Sequence, residues 1–251
     1  MAESIKIEIY RKKDAEDFTK SLADPESRAQ TGSGAAMTAA LSAALLKRAA
    51  ALTVQTLPDH ERASYIDRNA EILRSYMVHL IDEDVKARGP LRRALKEGGE
   101  REIEAARQPA VAIPGEVINM MAQALELGRE LASLCPQEAL HYLGEFAELA
   151  MAAVRSARLY IIDMADQCSD DTYRYVVRRE NEITLKTCAA CADEIITATE
   201  AASTPISARL KPTANLAPIM VFAGIGSAVR NPWPFPSRVT AVESAGFMPL
   251  I

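Results

Sequence analysis

The sequence predicts an all-α protein, an antiparallel multi-helix bundle followed by an irregular C-terminal arm. Aromatic residues make up only 5% of the 251 residues, whereas Ala, Leu, Glu and Arg are abundant, a composition that favours helices over sheets. Apolar residues recur at steps of three and four over long stretches, and proline or glycine residues separate these stretches. The chain is long enough for one large domain, or for one domain with an appendage.

The predicted elements follow one another along the chain. Residues 4–10 alternate apolar and polar side chains, which predicts a short strand or an extended arm, and a short helix follows over residues 13–23. An Ala-rich helix over residues 34–57 ends before Pro58, because the residue before a proline disfavours the α conformation. The later helices are predicted over residues 59–88 with Asp59 as N-cap, 91–107 with a break at Gly98 and Gly99, 113–134, 136–167 and 171–202.

The composition changes at Ser203, and this change defines a predicted boundary. Residues 203–251 are rich in proline and glycine and contain Trp233, the only tryptophan, so they cannot form one regular helix. Their apolar content is too high for a disordered linker. We therefore predict a helical domain over residues 1–202 and an arm over residues 203–251 that packs on the body or on a partner subunit.

Charge and hydropathy exclude several classes of partner. The net charge of -5 argues against a nucleic-acid partner, since nucleic-acid-binding proteins usually carry a basic surplus. The longest apolar run, residues 35–54, contains Lys47 and Arg48, so no membrane association is expected. The N-terminus lacks the apolar segment of a secretory signal, and four cysteines without such a signal indicate reduced thiols. A cytoplasmic location is expected.

One carboxylate stands where the helical pattern calls for an apolar residue. In residues 66–88, the apolar positions step by four and three along one helix face, and the next step of four is Asp84. The apolar positions are Ile66, Ala70, Leu73, Met77 and Leu80. A buried carboxylate is costly unless it is paired, so Asp84 is either a site residue with a tuned pKa or a solvated residue beyond the end of the stripe. Asp82 and Glu83 lie off the stripe.

Other motifs carry less information. Gly32, Ser33 and Gly34 lack the Lys-Ser/Thr of a P-loop and the third glycine of a dinucleotide-binding loop. Cys188 and Cys191 are predicted to be two thiols on one helix face, because no second CxxC pair accompanies them. The three histidines, His60, His79 and His141, lack metal-ligand spacing, so no metal is expected. Two arginines of the amphipathic helix over residues 138–164 are either solvated or bind an anion, and they are Arg155 and Arg158.

Four segments, taken in order, resemble the cyclodeaminase/cyclohydrolase family of folate enzymes. They are TGSGAAMTAALSAALLKRAAALT, LIDEDVKA, AIPGEVINMMAQALELGREL and ALHYLGEFAELAMAAVRSARL, and the likeness covers roughly residues 13–195. It implies an all-helical homodimer with a tetrahydrofolate derivative as its substrate. It also implies hydrolysis of 5,10-methenyltetrahydrofolate to 10-formyltetrahydrofolate, or the closure of formiminotetrahydrofolate with loss of ammonia.

The resemblance also implies roles for particular residues. Asp84 is the candidate for stabilising the cationic bridging carbon and for moving a proton. Gly32–Gly34 and Arg155 are candidates for contacting the pterin or the glutamate tail. His141 and Tyr142 replace the Ser-Asp pair of the family, so His141 is a candidate base and Tyr142 a candidate substrate contact. Because of such departures, binding of folate or a protein without turnover, and action on another cyclic amidine or imine, remain alternatives.

Overall fold

The computed structural model describes residues 8–203, and within this range the chain forms helices and turns without a strand. The predicted all-α fold is confirmed. The α-helices are α1 Ala15–Ala23, α2 Thr31–Thr56, α3 Glu61–Ala87, α4 Gly89–Glu97, α5 Glu100–Ala110, α6 Ala112–Ala132, α7 Leu140–Asp166 and α8 Asp171–Ser203. The predicted arm over residues 203–251 lies outside the described residues except for Ser203, and the homodimer stays a prediction.

The Ala-rich helix α2 lies at the centre of the bundle and packs against α3, α6 and α7. It runs antiparallel to α3, since Ser33 at its start meets Asp84 near the end of α3, whereas Lys47 meets Asp67 earlier in α3. Most of the residues that α2 buries are alanines, which permit the backbones of neighbouring helices to approach closely. Among the residues that the structure describes, α2 is also the one helix long and apolar enough to cross a membrane, and half of its most apolar window is buried in the fold.

The first turn of α2 corrects the predicted start of the Ala-rich helix. The helix begins at Thr31, three residues before the predicted start, so Gly32, Ser33 and Gly34 are helical. Glycine has a low intrinsic helix propensity, which is why the sequence pattern favours a later start. Tertiary packing overrides that propensity, because Gly32 and Ser33 are fully covered by the neighbouring helix α3.

One local prediction is wrong and one is confirmed. Residues 4–7 of the predicted N-terminal strand or extended arm lie outside the described residues. Ile9 has an extended backbone, and a short 3₁₀ turn, Tyr10–Lys12, follows it. Helix α3 is capped by the His60 side chain, whose Nδ1 accepts from the backbone N–H of Ala63 at 3.2 Å, and not by Asp59. The break at Gly98 and Gly99 is confirmed, because α4 ends at Glu97 and α5 begins at Glu100.

Helix α6 contains two glycines in opposite environments. A Cβ atom added at Gly128 would overlap the ring of Phe146, which is fully buried in α7, whereas a Cβ atom at Gly115 would meet open space. Gly128 is therefore required for the close contact between α6 and α7. Gly115 contributes only the entropic cost of a glycine within a helix.

We expect Gly128→Ala to lower the free energy of unfolding by about 1–3 kcal/mol, because the added methyl group forces the buried ring of Phe146 to shift. The matched substitution Gly115→Ala should raise it by up to about 1 kcal/mol through helix propensity. Urea unfolding of both variants measures the difference. A Gly128→Ala protein as stable as Gly115→Ala would contradict the packing described here.

Candidate functional site

The packing face of α3 continues through Asp84. The side chain of Asp84 is 0% exposed, as are those of Ile66 and Met77 on the same face. The interpretation of Asp84 as a buried carboxylate is confirmed, and the alternative of a solvated residue beyond Leu80 is wrong. Asp82 is also buried, and its carboxylate accepts a hydrogen bond from the backbone N–H of Tyr10 at 2.7 Å.

The first turn of α2 holds the Asp84 carboxyl group in place. The Ser33 hydroxyl lies 3.0 Å from Asp84 Oδ2 and 3.1 Å from the carbonyl oxygen of Ile81. A Cβ atom at Gly32 would overlap Asp84 Oδ1, so glycine is required for this approach of helix and carboxyl group. The carboxyl group therefore sits against a helix N-terminus, where backbone N–H groups favour negative charge.

Arg88 and Tyr160 complete the surroundings of Asp84. Arg88 lies one turn after Asp84, and its Nη1 is 3.6 Å from Asp84 Oδ2. The Arg88 guanidinium carbon lies 4.9 Å from the centre of the Tyr160 ring, which α7 contributes. Two atoms of this pair, Asp84 Oδ1 and Arg88 Nη1, are buried without a hydrogen-bond partner within the described chain. The same holds for Nε of Arg158 in α7. Two opposite charges thus meet here with unused hydrogen-bonding capacity.

Burial decides the protonation behaviour of this site. It raises the pKa of the Asp84 carboxyl group above its ordinary value, and the opposing effects of Arg88 and Ser33 are smaller. Burial also raises the pKa of the Tyr160 hydroxyl, again against the charge of Arg88. A carboxyl group with a raised pKa holds its proton more firmly than an ordinary aspartic acid, which favours a role in proton transfer.

A cavity of about 470 Å³ lies between the N-terminal residues and the end of α3, and its lining includes Asp82 and Val85 but neither Asp84 nor Arg88. Its basic residues include Arg11, Arg28, Lys86 and Arg92. Burial lowers the pKa of Arg92, and the positive charges of Arg28 and Arg88 lower it further. Within the described residues, no carboxylate forms an ion pair with Arg28 or Arg92. The cavity therefore has an unbalanced positive charge that suits an anionic group.

His141 and Tyr142 lie at the other end of the α2–α7 pair. The ring of Tyr142 packs under the guanidinium of Arg48 at 4.5 Å, and His141 is exposed. Arg48 lies fifteen residues after Ser33, which corresponds to about 22 Å along α2. Within one chain the structure therefore does not bring His141 or Tyr142 to Asp84, and their predicted roles stay predictions.

Arg155 and Gly34 lie near the start of α2 but outside the surroundings of Asp84. Arg155 is exposed, whereas Gly34 lines a cavity of about 440 Å³ together with Ser156. Of the predicted binding residues, only Gly32 and Ser33 contact the Asp84 carboxyl group. The predicted roles of Arg155 and Gly34 in substrate binding stay predictions.

The thiols of α8 belong to the hydrophobic core. Cys188 and Cys191 are both buried, and burial raises the pKa of the Cys191 thiol to about 11. A thiol with such a pKa stays protonated at neutral pH and is a poor nucleophile and metal ligand. Across residues 8–203, no three His, Cys, Asp or Glu residues form a group that could hold a metal ion.

Three residues near Asp84 are not predicted by the sequence pattern. Arg88 carries a usable signal, because it follows Asp84 by four residues and opposite charges at this spacing meet on a helix surface. Tyr160 and Arg92 carry none, since the place of Tyr160 beside Arg88 and of Arg92 in the cavity lining depends on how α7 and α4 pack against α3.

The fold and the sequence pattern of this chain have counterparts in known proteins. A comparison with curated protein sequences gives no match. The structure is similar to the crystal structure of formiminotetrahydrofolate cyclodeaminase from Thermotoga maritima, with a TM-score of 0.68 and 19% sequence identity over 76% of this chain and 97% of that chain. The sequence pattern of formiminotransferase-cyclodeaminase matches residues 14–183, well over half of the chain. The chain therefore belongs to the formiminotransferase-cyclodeaminase family.

Proposed function

We propose that this protein hydrolyses the methenyl bridge of 5,10-methenyltetrahydrofolate to give 10-formyltetrahydrofolate. Membership of the family supports a role in folate one-carbon metabolism. The observation that carries the proposal is the buried Asp84 carboxyl group, which keeps one oxygen without a hydrogen-bond partner beside a cation. Burying a carboxyl group in this way costs stability, and a role in catalysis explains why the protein has it.

The reaction requires what Asp84 provides. The methenyl bridge is a planar N–C–N cation, which a nearby carboxylate stabilises. Water adds to the bridging carbon, the bond from this carbon to N5 breaks, and the formyl group stays on N10. The Asp84 carboxylate accepts one proton of the attacking water and returns it to N5, and its raised pKa favours this proton transfer. The second water proton leaves the hydroxyl group of the intermediate for solvent as the formyl C=O bond forms.

The basic cavity at the end of α3 suits the other end of the substrate. The glutamate tail of a folate carries carboxylates, and Arg28 and Arg92 present guanidinium groups that have no carboxylate partner within residues 8–203. Charge-assisted hydrogen bonds from arginine to carboxylate are among the stronger polar contacts in proteins. We therefore assign the tail to this cavity.

Cyclodeamination of 5-formiminotetrahydrofolate is the second candidate, and the family match and the name of the similar structure favour it. In that reaction N10 attacks the formimino carbon, the bridge closes, and ammonia leaves after it accepts a proton. The carboxyl group of Asp84 suits this acid step as well. The two reactions are distinguished by the substrate, since the methenyl chromophore disappears in the first and forms in the second.

We expect Asp84→Asn to reduce kcat on the preferred substrate by about 10²- to 10⁴-fold, because an amide cannot transfer the proton. The control is Asp193→Asn on α8, an exposed carboxylate far along the sequence from the site, which should leave kcat unchanged. Absorbance of the methenyl chromophore measures both reactions. Folded wild-type protein that converts neither substrate would end the enzyme proposal, and tight folate binding without turnover would replace it by a binding function.

The same substitution changes how stability depends on pH. Because the native pKa of Asp84 exceeds its unfolded value, the native state binds more protons between those two values. The stability that this group contributes is fully present below the unfolded pKa, about 4, and is lost as pH rises through the native pKa. The unfolding free energy of Asp84→Asn should therefore rise relative to wild type as the pH increases from the unfolded pKa, about 4, through the native pKa. Urea unfolding across this range measures it, and a difference independent of pH would argue against a raised pKa.

Arg92→Ala should raise KM about tenfold for the glutamate-bearing substrate and leave kcat unchanged, because it removes one charge-assisted contact distant from the bridging carbon. The matched control is the exposed neighbour Arg93, and Arg93→Ala should leave KM unchanged. Steady-state kinetics with the substrate and with an analogue lacking the glutamate measure the effect. An equal rise in KM for the analogue would mean that Arg92 does not bind the tail.

A further inference from the structure

The Arg88 guanidinium lies in a space between a carboxylate and an aromatic ring. The Asp84 carboxylate forms one wall, with Oδ2 3.6 Å from Arg88 Nη1, and the Tyr160 ring forms another, with its centre 4.9 Å from the guanidinium carbon. A carboxylate and an aromatic face together favour a planar cation, since one supplies charge and the other a negative π surface. Only 14% of the Arg88 side chain is exposed, so this space is largely closed to solvent.

The contact between Arg88 and Asp84 is loose for a buried ion pair. A well-formed pair of arginine and carboxylate has two parallel hydrogen bonds of about 2.7–2.9 Å. Here the closest approach is 3.6 Å, and Arg88 Nη1 and Asp84 Oδ1 both lack a hydrogen-bond partner within the described residues. Asp84 therefore retains an acceptor oxygen for a better-placed N–H donor, which a structural ion pair would have used.

The Asp84 wall differs from Arg88 in how firmly it is held. Asp84 is fixed by Ser33 and by the close approach of Gly32, both in the first turn of α2. Arg88, in contrast, is the C-cap of α3, and Gly89 follows it directly at the start of α4. The long side chain of an arginine at a helix end can leave this space without a change in the helices that form it.

We propose that the space between Asp84 and the Tyr160 ring is a subsite for planar amidinium cations, and that the Arg88 guanidinium is its internal occupant. The guanidinium has the same planar N–C–N arrangement and charge as such a ligand, so ligand binding requires Arg88 to move away. The inference deepens the proposed function. It depends on the proposed function only for the identity of the natural ligand, the methenyl bridge. The subsite itself is defined by the contacts of Asp84, Arg88 and Tyr160.

The test uses the full chain with Arg88 replaced and acetamidinium as the probe. Arg88→Ala empties the subsite and leaves the buried Asp84 carboxylate without its counter-charge, so an added cation should bind there. At about ten times its dissociation constant, acetamidinium should raise the Tm of Arg88→Ala by about 3–6 °C. Neutral acetamide, which has nearly the same shape, should not raise it, and sodium chloride at equal ionic strength controls for screening.

Three further proteins complete the test. Arg88→Met keeps the apolar volume of the stem and serves if Arg88→Ala does not fold, with circular dichroism reporting folding. Arg93→Ala, an exposed arginine of α4, should show no acetamidinium effect, as should wild type, whose subsite is occupied. The double variant Asp84→Asn/Arg88→Met should lose the stabilisation, because its subsite has no negative charge.

The possible results separate this inference from the proposed function. Selective stabilisation of the Arg88 variants by acetamidinium, dependent on Asp84, supports the subsite even if no folate is converted. A folded Arg88 variant that acetamidinium and acetamide affect equally overturns the subsite, even if the wild-type protein hydrolyses methenyltetrahydrofolate. An equal effect of acetamidinium on wild type and Arg88→Met would also overturn it, since Arg88 would then not be the occupant.

Discussion

The contact between the Asp84 carboxyl group and the first turn of α2 is the constraint on which the rest of the site depends. It requires Gly32, because a Cβ atom there would overlap the carboxyl oxygen, and it requires the Ser33 hydroxyl as a partner. It also fixes the antiparallel register of α2 and α3, the two helices at the centre of the bundle. The buried charge is thus held by backbone proximity, and Arg88 supplies a counter-charge at longer range.

The end of α3 combines several cations with one desolvated anion, Asp84. Arg88 faces the Asp84 carboxylate, while Arg28 and Arg92 line the cavity at the end of α3 without carboxylate partners in the described part of the chain. Such an arrangement suits a ligand that carries anionic groups at one end and a cationic centre at the other. The proposed substrate, a folate with a methenyl bridge, has this charge distribution, and the family match supports a folate substrate as well.

The sequence predicts those features that depend on local periodicity. The spacing from Ile66 to Leu80 predicts the buried face of α3 and the burial of Asp84, because residues three and four apart share one side of a helix. The predicted start of the Ala-rich helix leaves out Gly32 and Ser33, since their helical state depends on packing against Asp84 and not on intrinsic propensity. Tyr160 lies 76 residues from Asp84 in the sequence, and only the packing of α7 brings the two together.

Asp84 is a desolvated carboxyl group, and its burial should raise its pKa above the ordinary value of an aspartic acid. A titration of its side-chain carboxyl carbon by ¹³C NMR tests this directly, with the resonance assigned by its absence in Asp84→Asn. We expect a pKa above the ordinary value, because burial outweighs the opposing effects of Arg88 and Ser33. A pKa at or below that value would mean that the charge of Arg88 dominates, and Asp84 would then not be the desolvated group described here.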